Sequence, residues 1–179
     1  TGGGDWKIKD GVLLGTSTKD ETKHGLLTSE KSYGDFTARI TFRIGEGNSG
    51  FYFHSEPNTS GVGISGIQAE LENSALMGGL YETGGRGWMV KPLHYFPTFA
   101  EDRQAIRKKQ WDKAWNSDDW MTMVVSAHGD RIVTHVNDIL ASDVVDPKGR
   151  KSGKFAVQLH GGQDMKVEVK SIELLEKEK

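Results

Sequence analysis

The segment Phe36-Thr37-Ala38-Arg39-Ile40-Thr41-Phe42-Arg43 alternates apolar with polar residues at every step. Successive side chains of a β-strand point to opposite faces, so the segment predicts a strand with one face in a core. The same alternation marks residues 50–54, 67–72 and 121–127, and strands are also predicted over 131–137, 154–160 and 165–174. Turn residues such as His128-Gly129-Asp130, Asn137-Asp138 and Gly161-Gly162 separate them. Many short strands joined by such turns predict an all-β sandwich or barrel. Glycine agrees: 23 of 179 residues, about 13% against a usual ~7%, means many tight turns. One stretch departs from the pattern. Thr98-Phe99-Ala100-Glu101 has the form of a capping box, which predicts a short helical insertion over about residues 99–110. With no repeat, linker or low-complexity tract, residues 1–179 read as a single β-sandwich domain.

Charge and composition remove several classes of function. Lys plus Arg number 23 and Asp plus Glu 25, a formal charge of −2 that supplies no field for nucleic acid or an anionic membrane. The absence of cysteine excludes thiol catalysis, cysteine-bound metals and disulfides. No apolar run approaches the ~18 residues of a membrane span. The Gly-rich stretch 77–88 lacks the GxxxxGK[ST] order of a phosphate loop, and no helix is predicted after it. It reads instead as a loop at the mouth of a groove, where Arg86 and Trp88 could touch a ligand.

If the apolar faces form a core, the opposite faces carry Arg39, Arg43, Tyr52, His54, Gln68, Glu70, Glu72, Tyr81, Gln158 and His160. Alternate residues on a strand share a face at roughly 6.6–7 Å spacing, so Gln68, Glu70 and Glu72 form one polar row and Gln158 and His160 a shorter one. Donors, acceptors and flat rings gathered in a groove suit the hydroxyls and apolar ring faces of a sugar. The competing reading is a solvated sheet on which Arg39 or Arg43 pairs with Glu70 or Glu72. The two glutamates are also a candidate glycosidase pair, because carboxyl separations of about 5–5.5 Å suit retention and ~6.5–9.5 Å suit inversion. His, Glu and Gln side chains could hold a divalent cation such as calcium or zinc, although no HExxH or EF-hand spacing occurs.

Several of these pieces fall in a familiar order: Gly47-Asn48-Ser49-Gly50 before an aromatic strand, Gln68-Ala69-Glu70-Leu71, Gly78-Gly79-Leu80-Tyr81, Gly85-Arg86-Gly87-Trp88 and Val157-Gln158-Leu159-His160-Gly161. In this the chain resembles the 3-keto-disaccharide hydrolase family over nearly its whole length. The resemblance implies a jelly-roll sandwich like that of concanavalin A and the laminarinases, and cleavage of a glycoside oxidised at sugar carbon 3. It also implies export, so a periplasmic or extracellular location is expected. A ketone at that carbon acidifies the neighbouring C2 hydrogen, so such a site needs a base and a stabiliser of the enolate. On this reading Glu70 or His160 is the base, and Arg86 or a bound cation stabilises negative charge. His54, Gln68, Tyr81 and Gln158 then orient the sugar, with Arg43, Glu72 and Trp88 as further contacts. The chain departs from the family at His54, where arginine is common. A non-catalytic carbohydrate-binding sandwich would use the same groove without a base. An ordinary β-glucanase would use Glu70 and Glu72 on unoxidised glycan.

Overall fold

A computed structural model of the chain describes residues 2–92 and 119–176. Thirteen strands are found among them: β1 (Asp5–Lys9), β2 (Val12–Ser17), β3 (Gly25–Tyr33), β4 (Phe36–Glu46), β5 (Asn48–Pro57), β6 (Ile64–Glu72) and β7 (Leu80–Thr83), then β8 (Gly87–Val90), β9 (Met121–His128), β10 (Arg131–Val136), β11 (Ile139–Val145), β12 (Gly153–Leu159) and β13 (Met165–Glu176). They build a seven-stranded sheet in the order β1-β2-β13-β4-β9-β10-β11 and a six-stranded sheet in the order β3-β12-β5-β6-β7-β8. All pairings are antiparallel, and β13 between β2 and β4, like β12 between β3 and β5, gives a jelly-roll-like crossing of the chain between sheets. The expected fold class is corrected on one point. No helix occurs among the described residues, so the architecture is all-β with no helical insertion in it; residues 99–110 lie outside the described part.

The core lies between the sheets. β4 sends Phe36, Ile40 and Phe42 inward, and β5 answers with Phe51 and Phe53, all fully buried. Each such side chain contributes about 1.5–3 kcal/mol on leaving water. Because the core takes one face of every strand, the other face of the six-stranded sheet is left to carry something else. In β6 the core face is Ile67, Ala69 and Leu71, which leaves Gln68, Glu70 and Glu72 on the outer face. Across the sheet, register places Tyr52 opposite Gln68, Gln68 opposite Tyr81, and Tyr81 opposite Trp88. Directly opposed residues share a face, so these four stand in one row across β5 to β8.

The seven-stranded sheet treats its outer face differently. Arg43 Nε donates to Glu168 Oε2 at 2.9 Å, and its guanidinium lies 4.9 Å from the centre of the Trp120 ring. Arg39 faces Glu173 at 3.8 Å, with both side chains exposed. The arginines therefore pair with β13 of their own sheet, not with Glu70 or Glu72.

Candidate functional site

A cleft of about 780 Å³ opens over the outer face of the six-stranded sheet. Seven side chains expected to act together line it: Gln68, Glu70 and Glu72 from β6, Tyr81 from β7, Trp88 from β8, Gln158 from β12, and His160 just beyond. Tyr81 and Trp88 meet edge to face with centroids 5.5 Å apart and form an aromatic wall.

Three other expected residues lie elsewhere. His54 is only 2% exposed, and its ring packs edge-on against Phe36 and Phe53, with Nε2 donating to the Gly34 carbonyl at 3.0 Å. The cause is backbone: His54 has φ of 46°, inside the register irregularity between Phe53 and Glu56, and this left-handed step breaks the alternation that would have put it in the cleft. Arg86, in the turn between β7 and β8, binds Asp146 through both terminal nitrogens at 2.8 and 2.7 Å, and its Nε donates to Glu82. It clamps the hairpin to the far sheet and does not line the cleft. Arg43 belongs to the outer face of the seven-stranded sheet, as above.

The floor of the cleft is a network of amides around one buried acid. Gln68 Nε2 donates to Glu70 Oε1 at 2.6 Å, while Asn48 Nδ2 reaches Glu70 Oε2 at 3.3 Å and Glu72 Oε2 at 2.9 Å. Gly50 stands opposite Glu70, and a β-carbon there would overlap the Gln68 side chain, so glycine is what lets Gln68 lie across the floor. Burial pushes the Glu70 carboxyl up to about 8, aided by the charge of Glu72, while the Asn48 and Gln68 hydrogen bonds pull the other way. Near neutral pH it is therefore mostly a neutral acid that can donate a proton. The loop after β6 holds Glu70 from behind: Glu70 N donates to Gly79 O, Gly78 N donates to Glu70 O, and Thr134 and Ser142 of the opposite sheet both donate to Gly78 O.

At the other end, His160 Nδ1 lies 2.7 Å from Gly161 O and 3.2 Å from Gln163 Nε2. His24 packs on it with ring centroids 4.3 Å apart, and burial, then His160, holds the His24 imidazole below its usual value. Asn48 had no expected place in the site, Tyr52 was expected on the groove face but with no role assigned, and His24 was not expected there. The first two share the β5 row with Gly50 and carry a readable signal, whereas His24 precedes β3 in a stretch with no periodicity. Among the described residues no group of three or more His, Asp or Glu side chains is gathered as a metal site.

The fold is a jelly-roll-like β-sandwich, shared with a carbohydrate-binding module and with a glycan-cleaving enzyme. The carbohydrate binding module CBM66 from Bacillus subtilis is similar with a TM-score of 0.66 at 16% identity, over 98% of this chain and 92% of that one. The carbohydrate recognition domain of Emp47p gives 0.59 at 16%, over 98% and 87%. The kappa-carrageenase of Pseudoalteromonas carrageenovora, in complex with an oligosaccharide of kappa-carrageenan, gives 0.53 at 10%, over 94% and 81%. At such identities the likeness is one of fold. No curated protein matches the sequence. The chain belongs to the family of the 3-keto-alpha-glucoside-1,2-lyase-like domain, which it matches over residues 1–175.

Proposed function

We propose that the cleft is a carbohydrate-binding site and that the protein holds a glycoside there. The supporting observation is the convergence of an amide-and-acid floor with the Tyr81 and Trp88 wall in one cleft. Such a site offers hydrogen bonds to sugar hydroxyls and flat faces to sugar rings. The kinship in fold with carbohydrate-binding modules supports the same reading. Calorimetric titration with methyl α-glucoside and α-linked glucose oligosaccharides tests it. Wild type binds; Tyr81→Ala combined with Trp88→Ala weakens binding by about tenfold or more, and Glu70→Gln leaves it nearly unchanged. Absence of saturable binding across the panel overturns the reading.

A second reading, catalysis, is favoured by the neutral buried acid at Glu70 and by the family's description. In a 3-keto-α-glucoside, removal of the C2 proton gives an enolate, the C1–O bond breaks, and the departing oxygen takes up a proton. His160 Nε2 is the candidate acceptor of the C2 proton, and Glu70 the candidate donor to the leaving oxygen. Arg86 has no part in it, because Asp146 and Glu82 hold its guanidinium. Aglycone release from 3-keto-α-glucosides separates the two readings. Catalysis requires turnover that falls about a hundredfold in Glu70→Gln and His160→Ala; full activity in both variants removes these roles.

A further inference from the structure

On the β12 side of the floor, away from Glu70, lies a polar atom with no hydrogen-bond partner among the described residues. Gln158 is 3% exposed and lines the cleft. Its Nε2 donates to the Tyr52 hydroxyl at 3.2 Å, which pairs with Thr83 Oγ1 at 2.9 Å. Tyr52 cannot easily move, because Leu26, Ile64 and Ala156 pack around it in an apolar cluster of their own. The backbone of Gln158 is pinned as well, by Ser49 Oγ donating to its carbonyl at 2.6 Å. The amide thus stands with its nitrogen toward Tyr52 and its oxygen away from it. Its Oε1 is buried, and no donor among the described residues reaches it. Nearly all buried polar side-chain atoms have a partner, so an oxygen on the cleft floor with none among the described residues is a place where a ligand's donor would be accepted.

Sheet geometry puts Gln158 on the cleft floor, across β5 from Glu70. Val157 pairs with Phe51, so Gln158 comes one step on beside Gly50, whose other neighbour is Glu70. Gln158 and Glu70 therefore flank the one position of the β5 row that has no side chain. Backbones two strands apart are separated by roughly 9.5 Å, and between these two the Gln68 side chain lies over Gly50 and forms the floor on which a sugar would rest.

We infer that Gln158 is a specificity-determining residue that accepts a hydrogen bond from one hydroxyl of the bound sugar, held in place for that role by Tyr52 and Thr83. This rests on the carbohydrate reading above and deepens it. A carbonyl oxygen accepts but cannot donate, so the hydroxyl read by Gln158 must remain unoxidised. A ketone on the ring, where there is one, lies at another position. Losing the hydroxyl leaves the buried oxygen unpaired and costs about ten- to a hundredfold in affinity.

The test uses methyl α-glucoside, its 3-keto form and each of its monodeoxy analogues, titrated against wild type, Gln158→Leu and Tyr52→Phe. Wild type is expected to reject one monodeoxy analogue by that factor. Gln158→Leu is expected to bind the parent sugar about as weakly as wild type binds that analogue, and to lose the discrimination. Tyr52→Phe, which frees the amide to turn, is expected to reduce the discrimination without abolishing binding. Gln158→Met carries the same expectation should Gln158→Leu fail to fold. Discrimination that persists at full size in a folded Gln158 variant, or unchanged affinity for the parent sugar, overturns the inference while leaving the carbohydrate reading intact. Failure of wild type to bind any of these sugars overturns the carbohydrate reading, and the inference falls with it.

Discussion

Glu70 is nearly shut off from water and held by amides alone, with Gln68 and Asn48 as its hydrogen-bond partners. An arginine in their place would favour the carboxylate strongly. Amides favour it only modestly, so the cost of burying charge prevails and the group is pushed up to about 8 from its ordinary 4.5. Between those two pH values the unfolded chain releases this proton and the folded chain keeps it. The folded state binds more protons there, and stability conferred at Glu70 falls as pH rises from about 4.5 to about 8, then levels off. Gln cannot ionise, so Glu70→Gln is expected to remove that slope. Thermal melts of both proteins at a series of pH values check this: the variant's Tm should gain on wild type across the window and hold a constant lead above it. Parallel curves would show that the carboxyl is not buried as a neutral acid.

At the scale of the strand, β6 was fully legible, because period two assigns Gln68, Glu70 and Glu72 to one face wherever the strand lies. β4 was legible in its faces but not in its sheet. A sandwich has two outer faces, and alternation cannot say which one Arg39 and Arg43 occupy; long-range pairing with β13 decides that. In β5 the pattern held through Tyr52 and failed at His54, where one left-handed residue redirects the side chain. The signals for it lie in the flanking strands: β-carbons at Gly66 and Gly153 would collide with Ser55 and its peptide unit. Arg86 was misplaced for another reason. Its nearness to Trp88 in sequence suggested the groove, but its partner Asp146 follows β11 in the other sheet. That ion pair ties the β7–β8 hairpin, and with it the Tyr81 and Trp88 wall, to the far side of the sandwich. Arg86→Met leaves Asp146 without its partner and is expected to cost about 1–2 kcal/mol, less in high salt because the guanidinium is half exposed. Urea unfolding at low and high salt measures it, and an unchanged midpoint at low salt would show that the clamp contributes nothing.

Over the whole molecule the two sheets divide the work. Both give one face to a shared core, but the seven-stranded sheet neutralises its outer face with ion pairs such as Arg43 with Glu168, while the six-stranded sheet lines its cleft with amides, an acid and aromatic rings. Unsatisfied or uncharged polar groups on a floor contribute little to folding and much to binding, which is the balance expected of a site carried on a scaffold that another surface stabilises. A sugar bound in the cleft should therefore stabilise the fold by mass action alone. At a hundredfold excess over its Kd the gain is about 2.7 kcal/mol, and at ~2–4 °C per kcal/mol for a chain of 179 residues the melting temperature should rise by roughly 5–10 °C. The combined Tyr81→Ala and Trp88→Ala variant should show almost none of that rise at the same sugar concentration. Arg43→Ala, on the opposite outer face, should start from a lower Tm and yet show the full rise. A rise lost equally in both variants would place the bound sugar somewhere other than this cleft.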